Sequence, residues 1–255
     1  ETLPLVGALK RSDDITLPER HLGLVQAEEI LDELIVKLEA GRQWIESSDL
    51  VNLLDKLTPT EFSPVAKELL PEIKPALAGR KIAIAKAAAT LIKDHNRIII
   101  DSGRTTAAMI PELASKRGLV VMTNSISVAN RILELENEPT LLMTGGTWDA
   151  QSHSLQGQFA ENMLRAYNFD QAFLGASGLD VERGTTTFNE LTNLSRTMAN
   201  VSQQVIVMAE SEKLDRKIPN LELAWEHIDI LVTDADINID SERKITAHNV
   251  QVIKV

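Results

Sequence analysis

Six short polar breaks follow apolar runs in the second part of this sequence, and each offers groups that bind oxygen-rich ligands. The first is Asp101, Ser102, Gly103, Arg104, Thr105 and Thr106, directly after Ile98–Ile100. The others are Thr123, Asn124 and Ser125; Thr144, Gly145, Gly146 and Thr147; Gly175 to Gly178; Glu210 to Lys213; and Thr233 with Asp234. Glycines let a ligand approach the backbone, and hydroxyls and amides bind its oxygens. Backbone N–H groups where a helix opens, as expected after Gly103, suit an anion. Arg104 is suited either to phosphate or to the surface, and Lys213 supplies a mobile cation. Glu190 can meet a ligand hydroxyl or act near the start of the next helix. Together these groups fit a small, polyhydroxylated, anionic molecule. Taken singly, each loop also reads as a turn or a helix cap, since Asp, Ser, Thr, Asn and Gly dominate both.

Other chemistries lack their signatures. No Walker loop and no Gly-x-Gly-x-x-Gly opens a strand–helix unit, and no Gly-x-Ser-x-Gly elbow occurs. The five histidines are scattered without metal spacing, so neither a metal nor a cofactor is expected. Trp44, Trp148 and Trp225 read as packing anchors, with Trp148 also able to shield a ligand.

The elements that must hold these loops are strands. Ile98–Ile100, Leu119–Met122, Thr140–Met143, Ala172–Leu174, Val205–Met208, Ile228–Val232 and Val250–Ile253 are short apolar runs. Helical patterns separate them, such as Ala107, Ile110 and Leu113, or Val128, Ile132 and Leu135. This predicts an α/β fold, a mainly parallel sheet covered by helices on both faces. In such a sheet ligands lie beyond the carboxyl ends of the strands, where the polar breaks fall. Upstream, residues 1–57 carry two helical patterns, one on Ile30, Leu34 and Leu38 and one on Leu50, Leu53 and Leu57. Residues 58–80, with Pro59, Pro64, Pro71 and Pro75, read as a linker, and residues 81–255 as the α/β domain.

Composition narrows the classes further. The 255 residues carry a formal net charge of −11 and 4% aromatics, which disfavours direct binding to nucleic acid. No cysteine is present, which removes disulfides and thiolate chemistry and fits a reducing, cytoplasmic setting. No apolar run approaches the roughly 18 residues of a membrane helix.

From about Lys81 to Val255 the sequence resembles the C-terminal effector-sensing domain of DeoR-family bacterial repressors. The resemblance rests on Lys81–Ala85, Ile100–Thr106, Val121–Ser125, Thr144–Thr147, Leu155–Gly157, Ala172–Gly175, Gly184–Thr187 and Met208–Lys213. Leu155–Asn162 and Thr186–Glu190 look most like the glucitol operon repressor branch. The resemblance implies the fold of ribose-5-phosphate isomerase, glucosamine-6-phosphate deaminase and CoA transferases. It also implies a sugar or polyol phosphate as effector, held by Asp101, Ser102, Gly103, Thr105, Thr106, Thr123, Asn124, Ser125, Gly145, Gly146 and Lys213. Two features depart from that pattern: Arg104 follows the glycine, and Glu210 and Glu212 add negative charge beside Lys213. Val6–Asp14 and Leu17–Gln26 instead resemble a middle segment of cobyrinate a,c-diamide synthase, with a reach to about Ala88. The expectation is a homo-oligomeric, non-enzymatic sensor domain, fused to an unrelated segment and touching DNA only through a winged helix-turn-helix outside this chain. A sugar-phosphate isomerase or deaminase, and an oligomerising scaffold, are the alternatives.

Overall fold

The computed structural model describes residues 79–150, 152–187, 192–216 and 218–255. The expectations for the N-terminal helices and for residues 58–78, and that for Glu190, lie outside the described residues. The described chain opens in a helix over residues 79–89, α1, so the last two residues of the expected linker are already helical. Strand β1 (Arg97–Ile100) leads into one helical turn, α2 (Arg104–Ala107), and a 3-10 segment at Ile110–Ser115. Next come β2 (Val120–Thr123), α3 (Ile126–Leu133), β3 (Thr140–Met143), and the pair β4 (Thr147–Asp149) and β5 (Ser154–Gln156). Helix α4 (Gln158–Arg165) precedes β6 (Phe169–Gly175), β7 (Gly178–Asp180), β8 (Gly184–Thr187) and α5 (Asn193–Asn200). The chain continues through β9 (Ser202–Met208), β10 (Asn220–Ala224), β11 (Ile230–Thr233), α6 (Ile239–Ala247) and β12 (Gln251–Lys254).

Seven strands form one parallel sheet in the order β12-β11-β9-β6-β1-β2-β3. They are the seven that the apolar runs predict. Side chains alternate across a strand, so one run feeds two cores. Ile98, Ile100, Val121, Phe173, Ile206 and Val232 pack with Ile84 and Ala88 of α1, Leu113, and Val128 and Ile132 of α3. Ile99, Met122, Leu174, Val205, Val207 and Leu231 pack with Leu164 of α4, Leu194 and Met198 of α5, and Ile245 of α6. Burial on both faces explains why the strands read as unbroken apolar runs and not as alternating ones.

Two features depart from the sequence pattern. The helix expected through Ala107, Ile110 and Leu113 stops after one turn at Ala107. Pro111 is the cause: it lacks an N–H, and its ring clashes with the carbonyl four residues back, that of Ala107. A three-stranded antiparallel sheet, β10-β8-β7, and the β4–β5 hairpin were not predicted. The small sheet springs from the carboxyl end of β6, since β7 begins three residues beyond Gly175.

The sheet order also fixes where chemistry can gather. From β1 the chain moves outward through β2 and β3; from β6 it moves outward the other way through β9, β11 and β12. β1 and β6 are neighbours, so the strand order reverses between them. In open α/β sheets the carboxyl edge at such a reversal is where ligands bind, because the flanking connections diverge there. Asp101 directly follows β1 and Gly175 ends β6.

Candidate functional site

Asp101 sits at that reversal, its N–H bonded to the Phe173 carbonyl at 3.0 Å. Its Oδ1 accepts from Asn124 Nδ2 at 2.9 Å and from Ser102 Oγ at 3.5 Å, while Oδ2 takes no hydrogen bond among the described residues. Asn124 Oδ1 accepts in turn from the Ser102 N–H at 2.9 Å. The amide thus ties the ends of β1 and β2 together and is itself buried. Gly175 completes this corner: a methyl group on it would lie 3.9 Å from the Ser102 carbonyl. Burial pushes the Asp101 carboxyl up to about 6, against the lowering effect of the Asn124 and Ser102 hydrogen bonds.

Other predicted residues serve the scaffold. Thr106 is buried, and its hydroxyl donates to the carbonyls of Asp101 at 2.8 Å and Gly103 at 3.0 Å, which fixes the loop. Thr123 Oγ1 accepts from the Ser125 N–H at 3.1 Å. Ser125 Oγ caps α3 by accepting from the Val128 N–H at 3.3 Å. Thr105 is buried and Arg104 half-buried. The α2 turn is too short to supply the expected helix-terminal field, which needs aligned peptide dipoles. What it keeps are the first-turn N–H groups, which have no acceptor inside a helix.

Two expectations are corrected. Gly146 does not hold its space open for a ligand. With φ at +112°, a side chain there would meet the Gln156 carbonyl at 2.4 Å, so the position is taken by the β4–β5 hairpin. Its neighbour Gly145 has nothing within 4 Å. Lys213, in turn, is not mobile. Its Nζ donates to the Ala176 carbonyl at 2.8 Å and pairs with Glu210 Oε2 at 3.0 Å. The Glu210 side chain is fully buried and also faces Lys81 Nζ at 3.4 Å. Burial opposes its ionisation, but the Lys213 and Lys81 charges outweigh that and hold its carboxyl below the usual range. The Ala176 bond nevertheless brings the Lys213 ammonium to the end of β6, the strand that pairs with β1.

One acid escaped the sequence reading. Glu222, in β10, accepts from Ser195 Oγ at 2.6 Å and Thr185 Oγ1 at 3.2 Å. Burial raises its carboxyl to about 7; the Asp101 charge adds to the rise, while the Ser195 and Thr185 hydroxyls and Arg196 oppose it. Asp101 at the reversal of the large sheet and Glu222 in the small sheet are thus two carboxyls that burial raises above the usual range. The Asp101 carboxyl can accept hydrogen bonds from ligand hydroxyls, and the edge offers backbone N–H groups and an ammonium to an anion. A cleft of about 530 Å³ beside β7, lined by Leu179, Val181, Arg183, Leu214 and Ile218 among others, includes none of the predicted residues. Among the described residues no cluster of three or more His, Cys, Asp or Glu is placed to hold a metal. No helix among them is long and apolar enough to cross a membrane.

The class that this fold and site define is matched by comparison with known proteins. Residues 78–235 match the model of the DeoR C terminal sensor domain. The chain belongs to the DeoR family through that domain. It is 39% identical over 176 residues, 69% of its length, to an Escherichia coli O157:H7 protein whose name is that of an aga operon transcriptional repressor. The chain spans 65% of that relative's length. It is 32% identical over 174 residues, 68% of each chain, to the HTH-type transcriptional regulator GlpR of Haloferax volcanii. A third relative, the HTH-type regulator YgbI of Escherichia coli K12, is 28% identical over 234 residues, 91% of each chain. Among solved structures it is similar to ribose 5-phosphate isomerase A of Methanocaldococcus jannaschii, at 19% identity and TM-score 0.39 over 52% of this chain and 53% of that one.

Proposed function

We propose that the domain senses a phosphorylated sugar or polyol at the reversal between β1 and β6, and that occupancy switches the DNA affinity of a repressor. The observation that carries this reading is the Asp101–Asn124–Ser102 network, which fixes a carboxylate acceptor at the one edge position the topology favours for a ligand. In this reading Asp101 and Asn124 take ligand hydroxyls. The amides of the Gly103–Thr105 loop and the Lys213 ammonium take the phosphate. A hexitol phosphate of the glucitol type is the first effector to try, in line with the resemblance at Leu155–Asn162. In this reading the domain acts as a homo-oligomer.

A ligand bound only to the folded chain stabilises it by RT ln(1 + [L]/Kd), about 2.7 kcal/mol at a hundred times Kd. For a domain of this size that raises the melting temperature by roughly 5–10 °C. The test is a thermal-shift panel of sugar and polyol phosphates in buffer free of sulfate and phosphate. A shift of that size with at least one compound, lost in Asp101→Ala, is expected. No shift with any member of the panel sinks the reading.

A further inference from the structure

Glu210 lies on the carboxyl edge, two residues beyond β9, whose last residue, Met208, pairs with Gly175 at the end of β6. Its side chain has no exposure, and it meets two ammonium groups from different parts of the fold. Oε2 faces Lys213 Nζ at 3.0 Å, and that same Nζ donates to the Ala176 carbonyl at 2.8 Å. Gly175, the residue before Ala176, closes on the loop of Asp101: a methyl group on it would lie 3.9 Å from the Ser102 carbonyl. Oε1 faces Lys81 Nζ at 3.4 Å, from the first turn of α1. The Lys81 and Lys213 side chains are 18% and 14% exposed, so salt and water screen the three charges little. Arg80, in the same turn, pairs with Asp236 at 2.7 Å and Glu212 at 3.9 Å, but its side chain is 45% exposed, and exposed pairs hold little.

A carboxylate buried in this way tolerates poorly the loss of either countercharge, because an unpaired buried charge is strongly destabilising. An anion at Lys213 takes up part of the ammonium's field and repels Glu210 as well, so Glu210 must draw more on Lys81. The Lys81 contact is the longer of the two and has room to close. We propose that Glu210 is a positioning residue with two faces: it fixes the Lys213 ammonium at the end of β6, and it passes the occupancy of that ammonium by a phosphate to α1, which is then held harder against the sheet edge. The inference rests on the sensor reading above and deepens it, since residues 1–78 join the domain through α1. Coupling of this kind is reciprocal: what the phosphate does for the Lys81–Glu210 contact, that contact does for the phosphate.

Amide hydrogen exchange of the full chain, read by mass spectrometry, tests this with saturating glucitol 6-phosphate or inorganic phosphate as the probe. Helix α5, packed on the opposite face of the sheet, is the reference for stabilisation of the whole domain. With either probe, exchange is expected to slow in the loop from Asp101 to Thr106, and in α1 by about fivefold or more beyond α5. Lys81→Met keeps the aliphatic stem and removes the charge. The loop is still protected in this variant, the extra slowing of α1 disappears, and both probes bind about fivefold more weakly. Lys81→Arg, which keeps the charge, retains the extra slowing. The double variant Lys81→Met, Glu210→Gln buries no carboxylate beside a single lysine, so it folds even where Lys81→Met does not, and its α1 follows α5 with either probe. Extra slowing of α1 that persists in Lys81→Met or in the double variant overturns the inference. If the wild-type loop is protected while α1 only follows α5, the bridge falls and the sensor stands; if neither probe slows exchange anywhere, both fall.

Discussion

Asp101 is kept at a sheet edge against its own electrostatics. Its carboxyl is held up to about 6 because burial removes water faster than Asn124 and Ser102 replace it. A group placed this way lowers stability at neutral pH, and folds retain such groups where chemistry or recognition uses them. The consequence is measurable in Asp101→Asn. The new amide oxygen still accepts from Asn124, but no charge is buried. A rise of two pKa units corresponds to about 3 kcal/mol, and screening by solvent at this half-buried position reduces it to about 1–2 kcal/mol. Urea titration at pH 8 is therefore expected to show Asp101→Asn more stable than the wild type by that amount, with weaker binding of glucitol 6-phosphate. A variant less stable than the parent at pH 8 contradicts the assignment. Lys213 carries the opposite lesson. Its pairing with Glu210 anchors it, so the ammonium reaches the site as a fixed charge.

At the scale of elements, the small sheet is the piece on which the second carboxylate depends. Strand β8 meets β10 at Gly184, where φ is +133° and a methyl group would lie 1.9 Å from the Leu223 carbonyl oxygen. Gly184→Ala must part the two strands as well as strain the backbone, for a loss of about 3 kcal/mol or more. Urea unfolding should show the lower midpoint, and an unchanged midpoint would mean that β8 and β10 are not packed as described. These same strands are where the sequence was least legible. The seven strands of the large sheet could be read because burial on both faces writes runs such as Ile98–Ile100, and polar breaks mark their ends. Gly184, Thr185, Thr186 and Thr187 carry no apolar run to mark a strand, although all four are buried in one. Asn220–Ala224 has no long apolar run, and nothing in its sequence marks the bulge at Glu222. The short α2 was legible in principle, since Pro111 stands four residues after Ala107. The anchoring of Lys213 was half legible: Glu210 three residues before it was noted as added negative charge, but its burial depends on the distant Lys81.

Across the whole molecule these local charges combine into one pH profile with a worked sign. Stability rises with pH wherever the unfolded chain binds more protons than the folded one, and falls where it binds fewer. Asp101 and Glu222 have ordinary values of 3.8 and 4.5 and are raised to about 6 and about 7. Their favourable contribution is full below the ordinary values and is lost as pH rises through the raised ones. Glu210 and Asp180 are lowered, by the lysines and by Arg183 with neighbouring N–H groups respectively, each against the opposing effect of burial. Their contribution is present above the ordinary carboxylate range and is lost as pH falls through their lowered values. The two sets pull toward a stability maximum at about pH 4, in the ordinary carboxylate range and well below neutrality. Self-repulsion from the net charge of −11 weakens with acid and acts in the same direction, so the profile of the wild type alone does not isolate the pair. The double variant Asp101→Asn, Glu222→Gln does. It changes the background charge little, and neighbouring groups such as these are best removed together. Urea titrations of both proteins at half-unit steps are expected to give similar stabilities below pH 4.5. The variant then gains steadily from pH 5 to 8, by about 1–3 kcal/mol in total. Parallel curves over that interval would mean that the two carboxyls are solvated and that their burial is not as described.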